Sequence, residues 1–234
     1  MGVPPARAES PGLDAPYGEL EGKFPPAPSA LRPRAGGRTV RGAGRSTAIP
    51  RRGPAPESLV TDIRYPIGPF ALPADTGDAA RRRWIDEISR APAALRAAVD
   101  GLTPAQLDTP YGEGGWSPRQ IVHHVADSHM NAYIRFKLAL TENAPTIAPY
   151  DQASWAMLHD TARVPVDTSL ALLDALHERW VAILRGMTPS DFERGYTHPE
   201  HRRVVPLVEA TAMYAWHGRH HAAHITGLRK RNGW

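Results

Sequence analysis

The stretch Trp216-His217-Gly218-Arg219-His220-His221-Ala222-Ala223-His224 decides how this chain is read. Its Ala, Met, Leu and Arg neighbours predict a helix, and at about 100° per residue His217, His220, His221 and His224 then fall within an arc of roughly 100°. Four imidazoles share one face. Histidine is the commonest metal ligand, and two rings one turn apart can hold a single ion, so the stretch reads as half of a metal site. Two such pairs are on offer, His217 with His221 and His220 with His224, and periodicity does not choose between them.

Working outward, apolar spacing predicts that this helix spans 206 to about 231, after a short strand near 203–205 and an exposed loop from Tyr196 to His201. Upstream, Thr168 is placed to cap a third helix to about Met187, with Leu172, Leu173, Leu176, Trp180, Ile183 and Leu184 as its apolar face. Ser117 followed by Pro118 is an N-cap with proline at the first helical position, and it opens a second helix running to about 140. A first helix covers 78–100, where Pro92 can kink or break it and Gly101 stops it. The long connection 141–167 carries Pro145, Pro149 and Pro165 and a short helix around Gln152–Leu158; loops of that length are often functional. Four helices and no further strand give an all-α fold, an antiparallel four-helix bundle over 63–234.

The second helix supplies the other half of the site. His124, Asp127, Ser128, Asn131 and Arg135 lie within roughly 100° of one another, opposite Val122, Val125, Ala126, Tyr133, Phe136 and Leu140. A solvated face would be rich in Lys and Glu, whereas this stripe suits a lined cavity. All eleven histidines lie between His123 and His224, and bundle cores build metal sites from facing helices. His124 with one pair from the last helix makes three imidazoles around a divalent ion, with positions left open as in catalytic zinc sites. A bare HxxxH pair is a weak signal, and His129, His159 and His177 are read as packed or surface residues without a role.

Composition narrows the chemistry. Among 234 residues there is no cysteine, which excludes disulfides, cysteine-ligated zinc and a thiol nucleophile of the protein's own. No apolar run is long enough to span a membrane and no signal pattern opens the chain, so the expected compartment is the cytoplasm. Residues 1–62 hold eleven of the 24 prolines and few large apolar side chains; they are expected to be a disordered extension. Its arginines lack interleaved aromatic residues for base stacking, which argues against nucleic acid as a partner.

Several blocks carry a resemblance. Tyr65-Pro66-Ile67-Gly68, Leu107-Asp108-Thr109-Pro110-Tyr111, Gly114-Gly115-Trp116-Ser117, Val122 to Asn131, Ile134 to Leu138, Tyr214 to Ile225 and the terminal Asn232-Gly233-Trp234 are similar, in order, to the YfiT branch of the DinB-like superfamily. The resemblance implies a dimeric four-helix bundle with one zinc or nickel ion per subunit on three histidines, and hydrolase or bacillithiol S-transferase activity. Carried over by position, it assigns the ligands to His124, His217 and His221, and leaves His220 and His224 as neighbours that orient or gate the site. The expected reaction is transfer of a small-molecule thiol onto an electrophile, with Arg135 and Asn131 holding the thiol and Asp127 orienting an imidazole. The alternatives are a hydrolase with activated water and a non-catalytic dimer pinned by its metal.

Overall fold

The computed structural model describes residues 62–234, so the extension expected over 1–62 lies outside them apart from Asp62. In chain order the elements are α1 (Asp78–Val99), α2 (Pro104–Leu107), α3 (Pro118–Thr141), α4 (Gln152–Trp155), α5 (His159–Arg163), α6 (Val166–Gly186), α7 (Pro189–Glu193), β1 (Gly195–His198), β2 (Arg203–Pro206) and α8 (Leu207–Asn232). The four long helices, α1, α3, α6 and α8, make the expected bundle. The start of α3 is a full capping box: Ser117 Oγ accepts from the Gln120 amide while Gln120 Oε1 accepts from the Ser117 amide, with Pro118 at the first position. At the far end of α8, Arg229, Lys230 and Arg231 face the negative end of the helix dipole, and Gly233 adopts the left-handed φ of 70° that closes it.

α1 and α3 each pack on α6 and α8, which places α1 and α3 on one diagonal of the bundle. Two apolar clusters fix the directions. One gathers Ile88, Phe136, Trp180 and Leu207, the other Leu95, Ile121, Leu170 and Ile225. Helices α1 and α8 run from the first cluster to the second; α3 and α6 run the other way. The bundle is therefore antiparallel across α1/α6 and α3/α8, while α1/α8 and α3/α6 are parallel pairs. Parallel neighbours cannot be joined by a tight turn, so the long connection between α3 and α6 serves topology: it returns the chain to the other end of the bundle. Where α1 and α8 cross, a Cβ built on Gly218 would lie 2.9 Å from the Ala91 Cβ, so only glycine permits this approach.

Smaller departures from expectation have local causes. Pro92 sits inside α1 without ending it; the Ile88 carbonyl that its missing N–H cannot serve accepts from His177 Nδ1 at 2.8 Å. Helix α6 begins at Val166, with Pro165 at the N-cap rather than Thr168. The supposed exposed loop before α8 is an antiparallel hairpin, with Tyr196 opposite Val205 and the Tyr196 and His198 side chains buried. Its first strand, Gly-Tyr-Thr-His, is too short to show an alternating pattern.

Candidate metal centre

Between the two apolar clusters lies a layer of histidines: His124 and His129 from α3, His177 from α6, and His217, His220, His221 and His224 from α8, all buried. Their positions follow from helical repeat. His217 and His221 are one turn apart on the side of α8 that meets α3, and His124 sits one and a half turns into α3, behind its cap.

His124 Nε2 lies 3.4 Å from His217 Nε2, and His221 Nε2 lies 3.1 Å from the same atom. With metal–nitrogen bonds of about 2.0–2.1 Å, a tetrahedral ion holds its ligand nitrogens about 3.3 Å apart. The three rings thus present their Nε2 atoms at separations one divalent ion can span, and the set of neutral nitrogen donors suits zinc or nickel. Trp116 forms a wall against both flanks, its ring 4.5 Å from that of His124 and 6.3 Å from that of His221. The other pair left open by periodicity does not reach His124. His220, His221 and His224 form a second grouping, but His224 Nε2 donates to the Arg64 carbonyl at 3.1 Å, and His220 stacks on Trp216 with ring centres 4.2 Å apart. Together with a hydrogen bond from Trp216 Nε1 to the Gly68 carbonyl at 3.2 Å, these contacts lay the segment from Arg64 to Gly68 along α8.

The polar stripe of α3 is only partly brought to the centre. Ser128 and Arg135 are buried, whereas Asp127 and Asn131 are half-buried. Asn131 turns its amide back onto its own helix, Nδ2 donating to the Asp127 carbonyl at 2.9 Å. Burial, with a smaller contribution from Asp160, pushes the Asp127 carboxyl up to about 6. Among the described residues no imidazole bonds to that carboxyl, so the orienting contact expected of Asp127 is not made. Arg135 hydrogen-bonds to Tyr214 and donates from Nη2 to the Ala148 carbonyl at 3.3 Å, while its Nε is buried with no partner among the described residues.

A ring of the candidate ligand set is instead in contact with a histidine for which the sequence predicts no role. His129 Nε2 lies 3.0 Å from His217 Nδ1, and His129 Nδ1 lies 2.8 Å from His177 Nε2. Burial, then the neighbouring imidazoles, hold His129 well below the ordinary histidine value, and burial lowers His177 to about 4. Both rings are neutral near pH 7. Single histidines in a helix carry no signal of such a role, and His129, five residues past His124, lies about 140° around α3 from it.

The DinB superfamily profile matches residues 87–225. A Bacillus pumilus (strain SAFR-032) protein named "Putative metal-dependent hydrolase" is 51% identical over 175 residues, covering 75% of this chain and 99% of its own. The Bacillus subtilis (strain 168) protein of the same description, YfiT, is 47% identical over 173 residues, covering 74% and 97%. The solved structure of Bacillus subtilis YfiT, described as "a probable metal-dependent hydrolase with an unusual four-helix bundle topology", superposes with a TM-score of 0.72 at 48% identity, over 74% of this chain and 98% of that one. Sequence and fold agree, and the chain belongs to the DinB superfamily as a YfiT-like member.

Proposed function

We propose that the chain is a metal-dependent enzyme acting on small molecules, with one divalent ion on His124, His217 and His221, and that it transfers a low-molecular-weight thiol of the bacillithiol type onto a small electrophile. The observation that carries the metal reading is the convergence of three buried Nε2 atoms at separations suited to one ion. The description of the Bacillus relatives as metal-dependent supports it. A divalent ion bound there supplies Lewis acidity, bringing the pKa of a thiol or a water toward neutrality.

The chain's own residues supply the rest. Asp127, one turn beyond His124 with its carboxyl raised to about 6, accepts the thiol proton. The sulfur–carbon bond forms as the bond from carbon to the leaving group breaks, and the leaving group departs with the electron pair. Arg135, whose buried Nε has no partner among the described residues, holds an anionic group of the thiol, and Asn131 Oδ1 offers an acceptor beside it. That guanidinium is what favours a carboxylate-bearing thiol over plain water as the nucleophile. His220 and His224 act as supporting neighbours. The protein is assigned to the cytoplasm as a homodimer.

A second reading, hydrolysis by the same centre, is favoured by the names of the relatives. Metal-loaded protein incubated with bacillithiol or mycothiol and a chlorinated aromatic should consume free thiol, and Arg135→Lys should raise KM for the thiol. Unchanged thiol alongside cleavage of an ester or amide replaces transfer by hydrolysis. His124→Ala should lose metal and activity while keeping its fold; a collapse of stability on chelation, in a protein with neither activity, supports a metal that only pins a dimer.

A further inference from the structure

The layer of histidines contains a hydrogen-bonded belt that touches each helix of the bundle once. It starts at the Ile88 carbonyl on α1, passes to His177 on α6 at 2.8 Å, to His129 on α3 at 2.8 Å, and ends at His217 on α8 at 3.0 Å. All four ring nitrogens of His129 and His177 are used in it, and both rings are almost without solvent contact, at 0% and 2% exposure.

The direction of every bond follows from its first member. A carbonyl oxygen only accepts, so His177 Nδ1 must carry the proton. A buried ring with one proton then has a lone pair on Nε2, which accepts from His129 Nδ1. His129 in turn accepts at Nε2 from His217 Nδ1. Each ring inherits its tautomer from the one before it, and the last one leaves the Nε2 of His217 as the donor atom facing His124 Nε2 and His221 Nε2. The starting point is free for this because residue 92 is proline: in an uninterrupted helix the amide of residue 92 would occupy the Ile88 carbonyl. A belt that ends on a carbonyl cannot pass a proton onward, so it orients rather than conducts.

We propose that this belt sets His217 in the Nδ1–H tautomer and aims its Nε2 into the centre, which makes His129 and His177 positioning residues for the metal site. The proposal rests on the reading of His124, His217 and His221 as ligands. Ligand histidines are commonly oriented by a carboxylate or carbonyl on the far nitrogen; here two further imidazoles stand between the ligand and its carbonyl.

The test has two arms on the full-length protein. In the metal-free form, long-range proton–nitrogen NMR of the imidazoles should find His177, His129 and His217 all protonated on Nδ1, the less common form of neutral histidine. A His217 proton on Nε2 overturns the proposal whatever the metal does. In the second arm, zinc affinity is measured against a competing chelator for His129→Gln and His129→Leu, which are similar in size. Gln can donate to His177 with its amide nitrogen and accept from His217 with its oxygen, and Leu can do neither. His129→Leu should weaken zinc binding by about 10–100-fold with His129→Gln within about threefold of wild type, and equal losses in the two variants refute the orienting role. The ligand reading fails separately, if His124→Ala binds zinc as wild type does.

Discussion

Asp127→Asn should stabilise the metal-free protein while impairing its chemistry. The Asp127 carboxyl is raised from an ordinary 3.8 to about 6, chiefly by burial. That displacement corresponds to about 3 kcal/mol against the ionised form in the folded state. The side chain is only half-buried, so solvent screening reduces this to about 1–2 kcal/mol. Below pH 3.8 the carboxyl is protonated whether the chain is folded or not, and it costs nothing. Between 3.8 and 6 the unfolded chain releases the proton while the folded one retains it, so stability falls as pH rises. Above 6 the whole penalty has accrued. Asparagine cannot ionise and is spared it. Urea unfolding with chelator present should therefore show Asp127→Asn ahead of wild type by about 1–2 kcal/mol at pH 8 and by roughly half of that at pH 5. An advantage that is absent at pH 8, or that shrinks as pH rises, refutes the account of Asp127 as a desolvated carboxyl. In the metal-loaded enzyme the same substitution should abolish the rise in rate near or below pH 6 that marks ionisation of the proton acceptor.

Other perturbations test the framework around the site. In an Asp127→Asn background, the metal-free protein should lose at least about 3 kcal/mol as pH falls from 6.5 through 4, because His177 alone, held neutral with its value lowered to about 4 by burial while the unfolded chain takes up the proton, contributes that much; acid unfolding curves that stay flat over that window contradict it. Ser117→Ala should cost about 1 kcal/mol through loss of the cap on α3, with Ser117→Asp close to wild type in thermal denaturation. Gly218→Ala should destabilise by about 1–3 kcal/mol despite the better helix propensity of alanine, because the new methyl meets Ala91 at 2.9 Å. Adding Ala91→Gly to the same chain should recover most of that loss.

The four helices were legible because each advertises itself by an apolar stripe, a cap or a glycine stop, and those signals are local. Their directions were not: nothing local in 141–167 says that this connection must climb back along the bundle, and only the membership of Leu170 and Trp180 in opposite clusters reveals it. The histidine face of α8 and the stripe of α3 were visible as spacing, yet spacing alone left two ligand pairs open. His129 and His177 escaped because a ring that bonds to another ring has the same sequence environment as one that is merely packed. Asp127 attracted attention as the nearest carboxylate to a ligand, but its oxygens meet no imidazole; the orientation it was expected to give passes through three rings to a carbonyl freed by Pro92. Such a partner, on Ile88, lies 129 residues from His217 in sequence and leaves no motif.

The segment from Arg64 to Gly68 contributes little to either apolar cluster, yet its carbonyls take the ring protons of His224 and Trp216. A polypeptide begun at Asp78 would contain every helix of the bundle and still leave both donors on α8 without these acceptors. One begun at residue 87, where the superfamily profile starts, would also cut into α1 and remove Ala80 and Trp84 from the core. What the histidine helix draws on is thus longer than the bundle itself, and in a truncation series the thermal midpoint should hold for chains begun ahead of Arg64 and drop for chains begun after Gly68.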